Sequence, residues 1–425
     1  MIQIQKYCEQ NKAEIFARNM PLDNVSDIVS GIIKDVKENG DAALYKYCEK
    51  FDNSKLSSLE VTKEEWDEAL LCADKTLVEI MERAAANIRE FHNRQKREGF
   101  EIKRANGEVV GQRISAVACA GIYVPGGTAA YPSTVLMDAI PAKVAGVKQI
   151  VMVSPVKDGK LNPDVLAAAK IAGVDRVFKI GGAQAIAALA LGTESVPKAD
   201  KIVGPGNAFV AEAKRQIFGL AGIDMVAGPS EILVIADSSA DPKKLAADLL
   251  SQAEHDKNAS AVLITDSMDI ATATARQLEI QLCRLPRAEI ARASIENNGK
   301  IIVTDNLQQA IEVSDELAPE HLELCVENPF EWLQKVNNAG SVFLGNNTPE
   351  AIGDYFAGTN HTLPTSGTAK FSSALSVDDF TKKTQYIYYT DKAAAAAADD
   401  IAYFAKREGL EAHALSALER KEQYE

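Results

Sequence analysis

The stretch that decides the fold is residues 116–203, where four short β-branched segments are separated by alanine-rich stretches of helical pattern. The segments read AVACAGIYV at 116–124, QIVMVS at 149–154, RVFKI at 176–180 and KIV at 201–203. Short apolar strands that alternate with helices are typical of βαβ units, whose strands run parallel. This stretch therefore predicts a mostly parallel sheet with helices on its faces.

A second series of the same kind begins at Glu231 and predicts a second sheet, with strand candidates at 232–236, 261–265, 300–304, 322–326 and 341–344. Residues 1 to about 113 instead carry apolar positions at three- and four-residue spacing, which predicts helices. The tail has an alanine-rich helical stretch from Asp391 and a break at Gly409. The predicted class is α/β, with two Rossmann-like, mostly parallel sheet domains, a helical N-terminal arm and a small helical C-terminal tail.

The composition excludes several classes of protein. The 425 residues are 46% hydrophobic and 25% charged, as in ordinary globular proteins. The 60 acidic and 46 basic residues give a net charge of -14 without a basic block, so no nucleic acid and no membrane is expected as a partner. We find no apolar signal-peptide core and no run of about 18 apolar residues, and we expect a cytoplasmic protein. Six cysteines without CxxC spacing predict neither disulfides nor a thiolate metal site.

Three glycine-containing turns follow predicted strands and precede predicted helices, at 123–127, 181–184 and 204–207. The N–H groups at a helix N-terminus can bind an anion, and the carboxyl ends of parallel strands gather along one edge of a sheet. None of the turns matches GxGxxG, and each taken alone is compatible with a turn that needs glycine for its backbone. Their recurrence in one half-domain favours a phosphate-bearing ligand, whose identity the turns do not reveal.

The five histidines of the chain are few enough to be informative. His92 lies in a charged helical stretch, and we expect it at the surface. A helix capped by Asp241 places Leu249 and Gln252 on one stripe, and His255 lies one turn beyond Gln252. Gln252 and His255 are thus polar residues on the continuation of an apolar helix face. They are either ligands of a hard or borderline metal or exposed residues at a helix end.

Two further segments supply nitrogen and oxygen donors. The loop at 353–365 contains Asp354 and His361, and the tail contains Glu408 and His413. Such donors without thiolate suit zinc or a similar divalent ion that leaves positions open for a substrate. Spacing alone does not show that these residues converge, and each is equally compatible with a solvated loop position.

Glu320 and His321 are consecutive residues that lie between a predicted helix and the strand that follows it. Because successive strand residues point to opposite faces, both can serve one pocket only if Glu320 still lies in the turn. The surrounding motif, APEHL at 318–322, stands in a series through which the chain resembles the histidinol dehydrogenase family from about residue 23 to 413. The other motifs are GIYVPGG at 121–127, GPGNAF at 204–209, AGPSE at 227–231, SQAEH at 251–255, GDY at 353–355, GTNH at 358–361 and EAH at 411–413.

The resemblance implies an NAD- and zinc-dependent oxidoreductase acting on a primary alcohol. It would oxidise L-histidinol to L-histidine via L-histidinaldehyde, a four-electron reaction that ends histidine biosynthesis. The resemblance implies one zinc ion per subunit on Gln252, His255, Asp354 and His413, and catalysis by Glu320 and His321. It implies substrate contacts from Ser230, Gln252, His255, His321, Asp354, His361, Glu408 and His413, and NAD contacts near Tyr123, Gln184 and Asn207.

The same resemblance implies a homodimer with shared active sites. We expect an arm at 1–22, and a larger α/β domain at 23–122 plus 231–373 that carries most of the metal and catalytic residues. We expect a second α/β domain at 123–230 with the NAD-binding loops, and a tail at 374–425 that completes the site of the partner subunit.

In the implied mechanism, His321 accepts protons in both oxidations and Glu320 activates the water that attacks the aldehyde. A rival route forms a thiohemiacetal on Cys119 or Cys325, although both lie in apolar strand patterns typical of buried cysteine. Two other classes stay open from the residues: a zinc hydrolase with Glu320-activated water, and a non-catalytic two-lobed α/β binding protein.

Overall fold

The structure is a computed structural model and describes residues 2–18, 25–126 and 131–422. The chain divides into two compact units. The first unit comprises Met1–Gln95 and Ala118–Phe380, and the second comprises Lys96–Val117 and Thr381–Glu425. Residues 1 and 19–22 of the expected arm, and Gly127 of the first glycine turn, lie outside the described residues.

Strands and helices alternate along most of the chain. The strands are β1 Ile4–Lys6, β2 Phe100–Lys103, β3 Val109–Ala116, β4 Cys119–Tyr123, β5 Gln149–Val153, β6 Arg176–Phe178, β7 Lys201–Val203, β8 Gly222–Ile223, β9 Glu231–Ala236, β10 Ser260–Thr265, β11 Lys300–Val303, β12 His321–Cys325, β13 Ser341–Leu344 and β14 Thr381–Tyr388.

The helices are α1 Lys12–Phe16, α2 Ser26–Asp52, α3 Lys63–Cys72, α4 Lys75–Asn93, α5 Pro132–Ala145, α6 Pro163–Ala172, α7 Gly182–Leu191, α8 Ala208–Ile217, α9 Pro242–Ala253, α10 Met268–Leu282, α11 Ala288–Asn298, α12 Leu307–Leu317, α13 Pro329–Leu333, α14 Glu350–Tyr355, α15 Asp391–Arg407 and α16 Glu411–Glu422. None of the described helices combines the length and the apolar character needed to cross a membrane.

One sheet of the first unit is five-stranded and parallel, in the order β6-β5-β4-β7-β8. Its strands include the four segments of residues 116–203, so the βαβ prediction is confirmed. The alanine-rich helix α7 is buried along its length because small side chains let it approach the strands closely. α2 packs over α7 and adds Val29 and Leu44 to the same core.

The other sheet of the first unit is six-stranded and parallel, in the order β1-β11-β10-β9-β12-β13. The expectation that the N-terminal arm is helical is wrong for β1, which pairs with β11 so that Ile4 lies opposite Ile301. A strand edge presents unpaired N–H and C=O groups, and the arm satisfies those of β11. A strand of three residues is too short for periodicity to reveal.

The second unit contains an antiparallel sheet, β14-β3-β2, which the sequence analysis missed. The helical expectation for residues 1–113 is therefore wrong for the part that forms β2 and β3. Gly111 of β3 lies opposite Tyr386, and a Cβ on this glycine would come within 2.3 Å of the tyrosine ring. Glycine permits this close approach and disfavours a helix.

The tail of the second unit agrees with its prediction. α15 begins at Asp391 and is followed by Gly409, whose φ of +77° is the left-handed conformation that ends many helices. α16 then packs against α15 through Ala402, Ala405 and Ala414, with Leu418 at the edge of the cluster. The alanines allow the two helices to approach closely while they bury little side-chain volume.

The expected domain boundaries differ from the packing in two places. The boundary at 122/123 falls inside β4, a central strand of the five-stranded sheet. The helix α2, expected in the domain of the metal residues, covers the five-stranded sheet and shares the core that contains Val151 and Ile186. Sequence order misleads here because a helix packs where its apolar face finds a partner, and not necessarily on the next strands of the chain.

The expectation that His92 lies at the surface is wrong, because its side chain is 0% exposed. His92 ends the buried stripe of α4 that contains Ala85 and Ile88, so the helical spacing continues through it. Its Nε2 atom lies 3.2 Å from Nδ2 of Asn360, the neighbour of His361. The charged residues around His92 obscured this pattern in the sequence.

Burial lowers the pKa of His92 from 6.5 to about 4. Because the folded protein holds the imidazole neutral while the unfolded chain protonates it below about pH 6.5, stability is present above that pH and is lost as the pH falls toward 4. From pH 7 to pH 5 the linkage amounts to about 1–2 kcal/mol. The urea midpoint of the wild type should therefore fall more steeply over this range than that of His92→Gln. Parallel pH profiles for the two proteins would contradict this prediction.

Candidate active site

Most of the expected site residues meet at the amino ends of β9 and β12. Ser230 and Glu320 immediately precede these strands, and His321 begins β12. The helix α9 connects β9 to the neighbouring parallel strand β10, so its C-terminal end, with Gln252, returns to the same edge.

The first turn of α5, a helix that packs on the five-stranded sheet, lies next to this edge of the six-stranded sheet. Oγ1 of Thr134 in α5 lies 3.4 Å from Nε2 of His361. Because α5 follows β4, its first turn belongs to the carboxyl end of the five-stranded sheet. The carboxyl end of one sheet therefore adjoins the amino end of the other, and the candidate site lies at this seam.

Glu320 and His321 are held by one peptide group, that of Glu231. The backbone N–H of Glu231 donates to Oε2 of Glu320 over 2.9 Å, and the carbonyl oxygen of Glu231 lies 3.0 Å from Nδ1 of His321. Glu320 lies in the turn before β12, the position that lets Glu320 and His321 serve one pocket. A carbonyl oxygen only accepts hydrogen bonds, so Nδ1 of His321 carries a proton, and in the neutral ring Nε2 is the nitrogen with the lone pair.

The Nε2 atom of His321 points toward Asp354. It lies 3.8 Å from Oδ1 of Asp354, and that oxygen lies 3.9 Å from Nδ1 of His361. Nε2 of His321 is buried and has no hydrogen-bond partner in the described part of the chain. Asp354 thus stands between two imidazoles, one of which presents an unused basic nitrogen.

Burial and nearby charges shift the pKa values of these groups. Burial raises the pKa of Glu320 to about 8. For His321, burial opposes the charged form, but the carboxylates of Glu320, Asp354 and Glu350 outweigh it and raise the pKa to about 10. Burial lowers the pKa of His361. The three carboxyl groups of the site therefore stabilise the charged form of His321, while burial disfavours the charged form of Glu320.

Gln252 and His255 reach the same site from the end of α9. The side chain of Gln252 is buried, and its Nε2 donates a short hydrogen bond to Oε1 of Glu350. Burial lowers the pKa of His255, against the opposing effect of the Asp354 carboxylate. The structure therefore brings Gln252 into contact with Glu350 and places His255 where it interacts with the charge of Asp354.

Glu350 is a site residue that the sequence analysis missed. His321, Glu350 and Asp354 offer ligand atoms that all lie within 4.8 Å of one another, and in the described part of the chain this cluster does not include His255. A sequence signal for Glu350 existed, since Glu350 and Asp354 are four residues apart and share one face of α14. The sequence analysis instead placed Asp354 in a loop at 353–365, whereas Glu350–Tyr355 form the helix α14.

The three expected NAD contacts lie at the carboxyl end of the five-stranded sheet. Tyr123 ends β4, and its hydroxyl accepts a 3.2 Å hydrogen bond from the N–H of Gly182. Gln184 is buried in the first turn of α7, and Asn207 caps α8 through its side-chain oxygen. This edge is where open parallel sheets place nucleotides.

Comparison with known proteins shows which family this chain resembles. The family model described as histidinol dehydrogenase matches residues 17–421. A histidinol dehydrogenase of Geobacillus kaustophilus is 54% identical over 398 residues, which cover 93% of this chain and 94% of the relative. One of Clostridium acetobutylicum is 52% identical over 389 residues, or 91% and 90% of the two chains. The crystal structure of histidinol dehydrogenase from Elizabethkingia anophelis matches with a TM-score of 0.95 and 39% identity, covering 100% of this chain and 98% of that one.

The chain belongs to the histidinol dehydrogenase family. The resemblance drawn from the motifs is therefore confirmed, and the protein is an oxidoreductase of histidine biosynthesis. The family match spans both units and includes every expected site residue.

The residues of the histidinol dehydrogenase site fit a divalent metal ion. Oε1 of Gln252 is buried and has no hydrogen-bond partner among residues 2–18, 25–126 and 131–422. A buried polar oxygen without a partner is costly, and a cation would satisfy it. With the imidazole of His255 and the carboxylate of Asp354, it forms a nitrogen and oxygen donor set that suits zinc.

The remaining expected residues of this family's site, Glu408 and His413, lie in the second unit. Glu408 caps the C-terminal end of α15, and His413 lies in the first turn of α16. Both side chains are exposed within the single chain. The first unit therefore carries Gln252, His255 and Asp354 of the four expected ligands.

The two cysteines of the rival covalent route are buried in strands. Burial raises the pKa of Cys119 to about 11, and it raises that of Cys325 as well, with Glu323 adding to the effect. A nucleophilic cysteine needs its thiolate form, which these surroundings disfavour. Both residues behave as small apolar core residues.

Proposed function

We propose that the chain catalyses the NAD- and zinc-dependent oxidation of L-histidinol to L-histidine via L-histidinaldehyde, the last step of histidine biosynthesis. The observation that carries the proposal is the buried Nε2 of His321, which has no hydrogen-bond partner among the residues that the structure describes, in a ring held at Nδ1 by the carbonyl oxygen of Glu231. The names of the relatives at 54% and 52% identity support the substrate. The proposal includes a cytoplasmic location.

His321 is the base of this proposal. The substrate alcohol gives its proton to Nε2 of His321 as the carbinol carbon loses hydride, while the other ring proton stays on Nδ1 and is donated in a hydrogen bond to the carbonyl oxygen of Glu231. Bound NAD⁺ supplies the hydride acceptor, and Tyr123, Gln184 and Asn207 are its proposed contacts. His321 gives this proton to the aldehyde oxygen as water adds, and it accepts a second proton when the hydrate is oxidised.

Glu320 activates the water that converts the aldehyde to its hydrate. Its carboxylate accepts a hydrogen bond from the N–H of Glu231 and lies 3.7 Å from Nδ1 of His321. A pKa raised to about 8 by burial makes this carboxylate a stronger base than an exposed one, because the protonated form is stabilised. Ser230, His361 and Glu408 are proposed to contact the substrate.

Zinc is proposed to be held by Gln252, His255 and Asp354, together with His413 of the partner subunit. Bound there, the ion would act as a Lewis acid that accepts nitrogen lone pairs of the amine and imidazole of histidinol and so orients the substrate. Asp354 is one of the carboxylates that raise the pKa of His321. Occupying Asp354 with a cation would offset its charge, and the imidazole of His321 could then accept a proton near neutral pH.

A homodimer with shared sites is the proposed assembly. The second unit exposes apolar side chains on β14 and α15, among them Ile387, Tyr403 and Phe404. Exposed apolar residues concentrated on neighbouring elements mark protein interfaces. A second copy of this chain is the proposed occupant, and it would also bring Glu408 and His413 to the site of its partner.

The first test is an assay with histidinol and NAD⁺. Purified protein should reduce about two equivalents of NAD⁺ per histidinol oxidised, as a four-electron reaction requires. Removal of metal by chelation should abolish this activity, and zinc, manganese or cobalt should restore it. Full activity of metal-free protein would contradict the zinc site. Absence of NAD⁺ reduction would instead favour a zinc hydrolase or a binding protein.

The second test separates Glu320 from His321. Glu320→Gln keeps the size of the side chain and removes the base, so oxidation of the aldehyde should fall by about 10²- to 10⁴-fold and oxidation of the alcohol by much less. His321→Asn should impair both oxidations to a similar extent. Rates are measured by NADH absorbance with each substrate. Equal losses for Glu320→Gln on the two substrates would mean that Glu320 only supports His321.

The third test concerns the shared site. Mixing inactive His413→Asn with inactive His255→Asn should regenerate activity, since some heterodimers contain one site with all ligands intact. Tagged subunits must first be shown to exchange, because a dimer that does not exchange would mask the effect. Persistent inactivity after proven exchange would mean that each site is built from one chain.

A further inference from the structure

Glu350 is buried in a position where glutamate is usually exposed. It begins α14, and only 3% of the residue is accessible to solvent. A carboxylate in the first turn of a helix is stabilised by the helix dipole and can remain in water. The side chain of Glu350 instead turns into the protein, so its contacts there must compensate for its desolvation.

Those contacts come from the last turn of α9. Oγ of Ser251 donates to Oε2 of Glu350 over 2.7 Å, and Nε2 of Gln252 donates to Oε1. The backbone N–H of Glu350 donates to Oε1 of Glu323 in β12 over 2.8 Å. Each carboxylate oxygen of Glu350 is therefore engaged by α9, and the start of α14 is attached to β12.

The contact with Glu350 determines which end of the Gln252 amide faces the metal position. A carboxylate only accepts hydrogen bonds, so the amide must turn its NH₂ group toward Glu350. The reverse orientation would bring two oxygens together. The carbonyl oxygen Oε1 of Gln252 is therefore directed away from Glu350, and it is the atom that lacks a partner in the described part of the chain.

The orientation matters because the two ends of an amide differ as ligands. The carbonyl oxygen offers lone pairs to a metal ion, whereas the NH₂ group offers hydrogens. α14 is also placed firmly, since a Cβ on Gly353 would lie 2.6 Å from the ring of Phe343 in β13. One turn after Glu350, the same helix supplies Asp354, a proposed ligand.

We propose that Glu350 is a positioning residue that holds the Gln252 amide with its carbonyl oxygen toward the metal ion. The inference rests on the proposed zinc site, and it assigns Glu350 a role outside the four ligands. Partners of metal ligands of this kind typically change metal affinity by about 10- to 100-fold when they are removed.

The experiment measures zinc affinity by competition with a chromogenic chelator, using the full-length protein. Glu350→Met keeps the approximate length of the side chain but leaves the NH₂ group of Gln252 without an acceptor, so zinc affinity should fall about 10- to 100-fold. Glu350→Gln also removes the charge but retains an acceptor oxygen, so it should recover most of that loss. Glu331→Met, which removes an exposed carboxylate from the first turn of α13, should leave the affinity unchanged.

A double-mutant cycle tests whether Glu350 acts through Gln252 or directly. In a Gln252→Ala background there is no amide to orient, so Glu350→Met should cause no further loss of affinity. The cobalt-loaded Glu350→Gln protein should keep the visible absorption spectrum of the wild type, because the ligands are unchanged. Should Glu350→Met lower the unfolding temperature of the metal-free protein, the test rests on Glu350→Gln alone: its zinc affinity should stay near that of the wild type because the acceptor oxygen is kept, and a loss of about 10-fold or more would contradict the role of Glu350.

Three results would overturn the role of Glu350 while leaving the proposed metal site intact. They are wild-type zinc affinity in Glu350→Met, an equal loss of affinity from Glu350→Met in the Gln252→Ala background, or an altered cobalt spectrum in Glu350→Gln. An equal loss in that background would point to Asp354, which adjoins Glu350 in the cluster. Zinc affinity that survives His255→Asn would overturn the proposed metal site itself, and the role of Glu350 with it.

Discussion

The hydrogen bond between Nδ1 of His321 and the carbonyl oxygen of Glu231 is the interaction on which the rest of the site depends. It assigns the ring proton to Nδ1 and leaves Nε2 as the basic atom. The same peptide group engages Glu320 through its N–H. Because β9 and β12 are adjacent parallel strands, their pairing places the Glu231 peptide beside both residues. The catalytic pair is thus positioned by backbone that is itself part of a sheet.

Negative charge is the second constraint of the site. Glu320, Glu350 and Asp354 are buried or largely buried within a few ångströms of His321. Burial raises the pKa values of Glu320 and Glu350, to about 8 and about 7, because the charged forms are poorly solvated. A divalent cation beside Asp354 would stabilise the charged forms of these carboxyl groups and also satisfy the carbonyl oxygen of Gln252. The donor set and its surroundings are in this sense complementary to a metal ion.

A buried polar network joins the two sheets of the first unit behind the site. Asn360 donates to the carbonyl oxygen of Met137 over 2.7 Å and contacts His92, while the hydroxyl of Thr362 donates to Asp138 over 2.8 Å. Met137 and Asp138 belong to α5, whose first turn also approaches His361. The network therefore fixes the loop that carries His361, since breaking it would leave buried polar groups unpaired.

The sequence by itself determined the α/β class, most strands of both parallel sheets, the tail helices and the motifs that identify the family. These features follow from local periodicity or from residues that stand close together in the chain. Tertiary structure alone decided that β1 pairs with β11, that residues 100–116 form strands, and that His92 and Glu350 are buried. Each of those depends on a partner distant in sequence: a free strand edge, the ring of Tyr386, Asn360, or the amide of Gln252. Local pattern cannot specify such partners, because hydrogen bonding and burial are satisfied only when the chain has brought them together.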